Sequence, residues 1–334
     1  MQTLQHLLLS AFIVFTLAAC SDEKSRRVDA LVVSGESAHV AQQENAPPKD
    51  ATPRIALLLK SFSNPYFLEM EQGARRAQAE SNAGLFVRSV GSEAAIDQQI
   101  QFIEQIVSNR TADAIVLIPT DSERLAPSVA MAHNAGIPVI VADTPLDADA
   151  LTRQGVRAPP FVGIDNTKAA YQAARALASA IPAGSEVALL EGNSNALNTR
   201  QRALGARQAF VDAGMKLVAS KNTWSPDEVY EVTGILLREH PRIQAIYCIS
   251  DVIAIGAMKY LADRNIAHIK LAGFDGIPEA RKALEQGQMV ATVDQQPMEQ
   301  GYKSVKAAID LLAGKAIPQR VEIDTVLLIQ ANGE

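Results

Sequence analysis

From Arg54 onward, apolar runs of strand length alternate with longer segments of helical character, and this rhythm limits the chain to parallel sheets covered by helices. The runs are IALLLK (55–60), LFVRSV (85–90), AIVLIP (114–119), PVIVAD (138–143), VALLE (187–191), KLVAS (216–220), AIYCIS (245–250) and IKLAGFD (269–275). Runs such as IALLLK and AIVLIP are apolar without alternation, as strands of a parallel sheet covered on both faces are. Between them, stretches such as NPYFLEMEQGARRAQAES and NTRQRALGARQAFVDAG carry apolar residues at three and four spacing and stop at Gly or Asn, as amphipathic crossover helices do.

A weak internal repeat divides this body. Asp121, after AIVLIPT, is followed 22 residues later by Asp143 at the end of PVIVAD; Asp251, after AIYCIS, is followed 24 residues later by Asp275 at the end of IKLAGFD. Two α/β lobes of like construction are predicted, and a chain of 334 residues has room for two cores. Ligands of open parallel sheets bind beyond the carboxyl ends of the strands, so the polar residues placed there are the functional candidates.

Those residues suit a polyhydroxylated ligand. Asn64, Tyr66 and Phe67, directly after the first strand, set an amide beside two rings, which fits a ligand with a flat CH face and hydroxyls. Trp224, in the polar loop KNTWSP, offers a second slab. Arg202, near the start of a helix, carries a fork of donors. Asp143 and Asp275 can each accept hydroxyl hydrogen bonds, and Gln295, in ATVDQQP, both donates and accepts. Ser250 shares its strand end with Asp251.

Other chemistries find little support. Lys plus Arg number 31 against 37 Asp plus Glu, a net charge of -6, so there is no basic excess for a nucleic-acid backbone. The five histidines are scattered and the two cysteines unpaired in sequence, so neither a metal site nor a disulfide framework is expected. No GxGxxG opens a helix and GxxxxGK[ST] is missing, so no nucleotide cofactor is expected. Gly192-Asn-Ser-Asn-Ala196 sits where a nucleophile elbow would, and Ser194, Asp251 and His268 occur in hydrolase order. A serine hydrolase using Ser194 is therefore the competing class, although Ala196 stands where the second Gly of GxSxG belongs. Cys248, inside AIYCIS, reads as a buried thiol.

The first twenty residues hold no acidic side chain and an apolar stretch at 7–19, the length of a secretory h-region. The stretch ends Leu17-Ala18-Ala19-Cys20, which resembles the lipobox of bacterial lipoproteins; the resemblance implies that 1–20 is a lipoprotein signal peptide and that Cys20 is acylated, although the segment before the apolar stretch has no Lys or Arg. Residues 21–53, rich in Ser, Glu, Gln, Ala and Pro and without period, read as a flexible tether with a span of roughly 30 Å.

Over 55–330 the body resembles the type I periplasmic binding proteins for monosaccharides, of the ribose and galactose kind. The resemblance rests on SNPYFLEMEQGA (63–74), IPTDS (118–122), AGIPVIVAD (135–143), TRQRALGA (199–206), SDVIAIGAM (250–258), AGFDG (272–276) and ATVDQQP (291–297). It implies two doubly wound parallel-sheet lobes, 54–164 plus 296–325 and 165–295 plus 326–334, joined by a three-segment hinge near 163–165, 293–296 and 324–327. It also implies a non-enzymatic, monomeric receptor, lipid-anchored in the periplasm or cell envelope, that closes on a monosaccharide or polyol. Its partner would be an inner-membrane ABC permease, or alternatively a membrane sensor. Family ligand positions fall on Asn64, Tyr66, Phe67, Asp143, Arg202, Trp224, Asp275 and Gln295. Ribose-binding relatives have Arg at the place of Thr144 and Asn at the place of Ser250; galactose-type relatives have an acid at Asn198 and a histidine at Ala196. Neither ligand code is met in full, so no one sugar is assigned. The same body occurs behind DNA-binding headpieces in transcriptional repressors, a place here taken by the export signal.

Overall fold

The computed structural model describes residues 52–223 and 226–330. The expected signal peptide with Cys20, the tether up to residue 51 and Trp224 lie outside the described residues.

Two six-stranded sheets organise the body. The first takes β1 (Arg54–Leu59), β2 (Gly84–Ser89), β3 (Ala114–Leu117), β4 (Val139–Ala142), β5 (Phe161–Gly163) and, much later in the chain, β11 (Arg320–Glu322), in the order β11-β5-β4-β3-β1-β2. The second takes β6 (Glu186–Glu191), β7 (Lys216–Asn222), β8 (Ile243–Cys248), β9 (Lys270–Ala272), β10 (Ala291–Asp294) and β12 (Val326–Ile329), in the order β12-β10-β9-β8-β6-β7. All pairings are parallel except that of β10 with β12. The first lobe interleaves α1 (Tyr66–Ser81), α2 (Ile96–Asn109), α3 (Ala126–Asn134) and α4 (Ala148–Arg153). The second uses α5 (Asn166–Ser179), α6 (Leu197–Asp212), α7 (Pro226–Glu239), α8 (Asp251–Asp263) and α9 (Pro278–Glu285), after which α10 (Pro297–Leu312) returns to the first. The chain thus crosses between the sheets three times, after β5, after β10 and between β11 and β12.

The continuous apolar runs are explained by burial on both faces. In β1, Ile55, Leu57 and Leu59 join one core cluster while Ala56 and Leu58 join another, and all five are fully buried. Helix pairs close the outer layers by backbone contact. A Cβ on Gly73 of α1 would overlap the Met298 carbonyl of α10, and one on Gly205 of α6 would overlap the Thr167 carbonyl of α5. The last residue of α1 is followed by Asn82 at φ 50°, a left-handed stop that an Asn tolerates.

Two expectations are adjusted. The run IKLAGFD is a strand only over Lys270–Ala272; beyond it the chain turns, with Asp275 at φ 127° making a single parallel bridge to Asp294. β5, β11 and β12 have no counterpart among the apolar runs read from the sequence, because they are three or four residues long and β11 and β12 are largely exposed.

Candidate functional site

The first lobe brings its strand ends together around Asp143. This residue follows β4 in the left-handed region, φ 57°, a conformation uncommon for a residue other than glycine. Oδ1 accepts from the Tyr66 hydroxyl at 3.1 Å; Oδ2 accepts from the Thr144 hydroxyl at 2.7 Å and lies 3.7 Å from Lys60 Nζ. Burial, and next the Asp143 carboxylate, push the Tyr66 phenol well above its ordinary range, so it serves as a donor. Asn64 spends its Oδ1 on the Tyr66 backbone N–H at 3.1 Å, which holds the first turn of α1, and keeps its amide donors for the cleft. Phe67 meets Tyr66 edge to face with ring centroids 5.1 Å apart.

In the second lobe the centre is Arg202. Its guanidinium lies over the Phe274 ring at 4.0 Å and donates from Nε to Asn166 Oδ1 (2.8 Å), from Nη1 to the Ile249 carbonyl (3.1 Å) and Asp275 Oδ1 (3.2 Å), and from Nη2 to Gln295 Oε1 (3.1 Å). Gln295 Nε2 donates to the same Asp275 oxygen at 2.6 Å. Burial raises the Asp275 carboxyl, and the Arg202 guanidinium pulls it back down. Ser250 caps α8 by accepting from the Ile253 N–H at 3.5 Å.

The lobes meet over this cleft. Asn64 Nδ2 donates to Asp275 Oδ2 at 3.1 Å, and Asn198 Nδ2 donates to Asp143 Oδ2 at 3.1 Å, so each lobe's acid is gripped from the other side. Asn193 Nδ2 donates to the Thr120 carbonyl (2.8 Å), and the Leu197 N–H donates to Ser122 Oγ (2.8 Å). Between the lobes lies a cavity of about 200 Å³ whose walls include Tyr66, Phe67, Asp143, Arg202, Asp275 and Gln295. A cavity lined by amides, paired carboxylates, a guanidinium and aromatic rings can replace water around a neutral polar molecule.

All the described candidates, Asn64, Tyr66, Phe67, Asp143, Arg202, Ser250, Asp275 and Gln295, thus line one cavity. Lys60 and Asn166 were not singled out from the sequence, although Lys60 ends an apolar strand in the same way as Asp143. Asn198 lies in the first turn of α6, within the stretch after β6 that the strand-end rule marks.

The hydrolase constellation does not assemble. Ser194 lies beyond the carboxyl end of β6, whereas exposed His268 precedes β9, at the opposite edge of the same parallel sheet. Asp251 is fully buried, with Oδ2 accepting from the Gly276 and Ile277 N–H groups and Oδ1 from the Thr292 hydroxyl. Cys248 is buried with its thiol pushed up by burial, which keeps it unreactive. Among the described residues no helix is long and apolar enough to cross a membrane, and no group of His, Cys, Asp or Glu could hold a metal ion.

Comparison with known proteins agrees with this architecture. Residues 55–316 match the family described as periplasmic binding protein domain. The D-ribose/D-allose-binding protein of Pseudomonas aeruginosa is 35% identical over 267 residues, covering 79% of this chain and 83% of that protein. The D-allose-binding periplasmic protein of Escherichia coli is 33% identical over 273 residues, 80% of this chain and 88% of its own length. Among solved structures, an ABC transporter periplasmic solute binding protein from Actinobacillus succinogenes with bound D-allose superposes with a TM-score of 0.77 at 34% identity, covering 84% of this chain and 98% of its own. With the family model spanning most of the chain and relatives above 30% identity along most of their length, this chain belongs to the periplasmic binding protein family.

Proposed function

We propose that this protein is an exported receptor that closes on a monosaccharide or related polyol and delivers it to an ABC-type sugar transporter. The observation that carries this reading is the paired arrangement of acids: Asp143 and Asp275, at equivalent strand ends of the two lobes, are each hydrogen-bonded by an amide from the opposite lobe around one cavity. A ligand with hydroxyls on several faces can use donors and acceptors from both lobes at once, and only the closed form offers both sets, so binding favours closure. The relatives named for D-ribose and D-allose support a ligand of that size class. In the ligand-bound form, Asn64, Asp143, Arg202, Ser250, Asp275 and Gln295 act as hydrogen-bonding partners, while Tyr66, Phe67 and Trp224 supply flat contact area. The work is done by binding and domain closure, without a catalytic step.

Cys20 is the proposed attachment point to the membrane, with the segment after it as tether. Replacing Cys20 by Ser should abolish acylation and release the processed protein from membranes or leave it uncleaved; an unmodified Cys20 on a soluble wild-type product would refute the anchor. The binding reading is tested by calorimetry and thermal shift against D-ribose, D-allose, other aldoses and inositols. A ligand present at 100 times its dissociation constant stabilises by about 2.7 kcal/mol. Binding of one such compound with compaction in small-angle scattering is expected, and no response to any polyhydroxylated compound would overturn the reading.

A further inference from the structure

Asn166 lies outside the cavity wall and yet holds a residue that lines it. It is the first residue of α5, directly after the chain leaves β5 for the second lobe. Its side chain is buried at 1% exposure, and Oδ1 accepts from Arg202 Nε at 2.8 Å, while Nδ2 is buried with no hydrogen-bond partner among the described residues. Turning the amide over would not help, because it would set Nδ2 against the Nε–H of Arg202, donor against donor. A buried donor without a partner is uncommon in folded proteins and calls for an explanation, which the hold of Asn166 on its neighbour offers.

That neighbour has a guanidinium whose remaining bonds account for nearly all of its hydrogens. Nη1 is shared between the Ile249 carbonyl and Asp275, and one N–H of Nη2 goes to Gln295. Of the five N–H donors of an arginine, four are thereby assigned, and the last, on Nη2, has no partner among the described residues and is available to the cavity that Arg202 lines. Because the guanidinium is rigid and planar, fixing Nε at one end fixes where the last Nη2–H points at the other. Asn166 and Gln295 sit beside the first and second crossings between the lobes, so the two anchors of this plane belong to the hinge.

We propose that Asn166 is a positioning residue for ligand recognition: through Oδ1 it sets the plane of the Arg202 guanidinium, and so aims the free Nη2–H at a ligand oxygen and ties that aim to the hinge. This rests on the reading of the cavity as a sugar site. The test uses Asn166→Leu, which removes the acceptor, Asn166→Ala as a smaller alternative should Leu not fold, and Asn166→Asp, which keeps the acceptor and removes the unpartnered donor. Each is made in the wild-type and Arg202→Lys backgrounds and titrated with D-allose and D-ribose. In the wild-type background the Leu or Ala change should raise Kd by about tenfold and Asn166→Asp should restore it to within about threefold. In the Arg202→Lys background, which lacks the fork, the Leu or Ala change should alter Kd by less than about twofold. Equal losses in the two backgrounds would show that Asn166 acts independently of Arg202 and would overturn the proposal. A second readout needs no ligand: the Arg202 Nε–H resonance in 15N-labelled protein should be protected from exchange in wild type and Asn166→Asp and lose that protection in Asn166→Leu or Asn166→Ala. Retained protection in those variants would overturn the positioning role, whereas a protected wild-type signal that responds to Asn166, in a protein that binds neither sugar, would count against the sugar reading alone.

Discussion

Asn64 and Asp275 stand 211 residues apart in the chain and on opposite lobes, and yet the Asn64 amide donates directly to the Asp275 carboxylate at 3.1 Å. The bond joins the two lobes directly across the cleft. It also links the Tyr66 N–H at the start of α1, through Asn64 Oδ1, to the Arg202 ion pair, through Asp275 Oδ1, so contact between the lobes is shared by both frameworks.

Asp275→Asn should therefore damage binding more than folding. Three donors, from Asn64, Arg202 and Gln295, converge on Asp275. An amide has one acceptor to offer them and turns its own donors against the rest. Loss of charge-assisted bonds of about 1.5–3 kcal/mol corresponds to a weakening of sugar affinity of roughly ten- to a hundredfold. Calorimetry on a variant with a native circular dichroism spectrum checks this, and an unchanged Kd would remove Asp275 from the site.

Asn193 offers a cleaner probe of closure, because its bond to the Thr120 carbonyl crosses the lobes without touching either acid. Asn193→Ala should shift the ligand-free protein toward the open form and weaken sugar binding by about three- to tenfold, the value of one net hydrogen bond of 0.5–1.5 kcal/mol. Small-angle scattering should show a larger radius of gyration without ligand and wild-type compaction at saturating ligand. An unaltered open-closed balance would place the closing contacts elsewhere.

The parts of this fold that were legible in the sequence are those where physics leaves little choice. Strands such as β1 and β8 are buried on both faces and must be continuously apolar, so IALLLK and AIYCIS stand out. The strand-end rule then led to Asp143, Asp275 and Gln295 without further information. It did not lead to Asn166, because the preceding β5 is only Phe161–Gly163, too short to register as an apolar run. Nor could local pattern show that Lys60 faces Asp143, since that pairing is created by the parallel neighbours β1, β3 and β4 rather than by spacing in the chain. The cross-lobe bonds are further still from the sequence, as they depend on how the two sheets are set against each other.

Gly273 is fixed by its neighbours rather than by its backbone angles. A Cβ there would overlap Asp251 Oδ1 and lie 2.9 Å from Met289 Cε. Gly273→Ala must push the Asp251 carboxylate off its Thr292 partner or spread β9 from α8, and overpacking of this kind costs about 1–3 kcal/mol. A melting temperature lower by several degrees is expected, with Gly91→Ala, whose Cβ meets only Gln98 Oε1 at 3.9 Å, as a near-neutral control. Equal melting temperatures for the two variants would refute the close approach.

Asp251 gives the fold a pH dependence of definite sign. Burial raises its carboxyl to about 6, against the pull of its bonds to Thr292 and the Ile277, Gly276 and Phe274 backbone. In an unfolded chain an aspartate titrates near about 3.9, so between the two values the folded state binds the proton more tightly. The cost of burying the charge is present in full above the folded value and is relieved as pH falls toward the unfolded one; stability from this group therefore declines as pH rises through the window. Asp251→Asn keeps an acceptor for the Gly276 and Ile277 N–H groups and a partner for Thr292, and it has no charge to bury. Chemical denaturation of both proteins should show wild type gaining on the variant by about 1–2 kcal/mol as pH is lowered from 6 to 4, since each unit of difference in pKa is worth about 1.4 kcal/mol. A difference between the two proteins that stays constant across that range would mean that Asp251 titrates at its ordinary value in the fold.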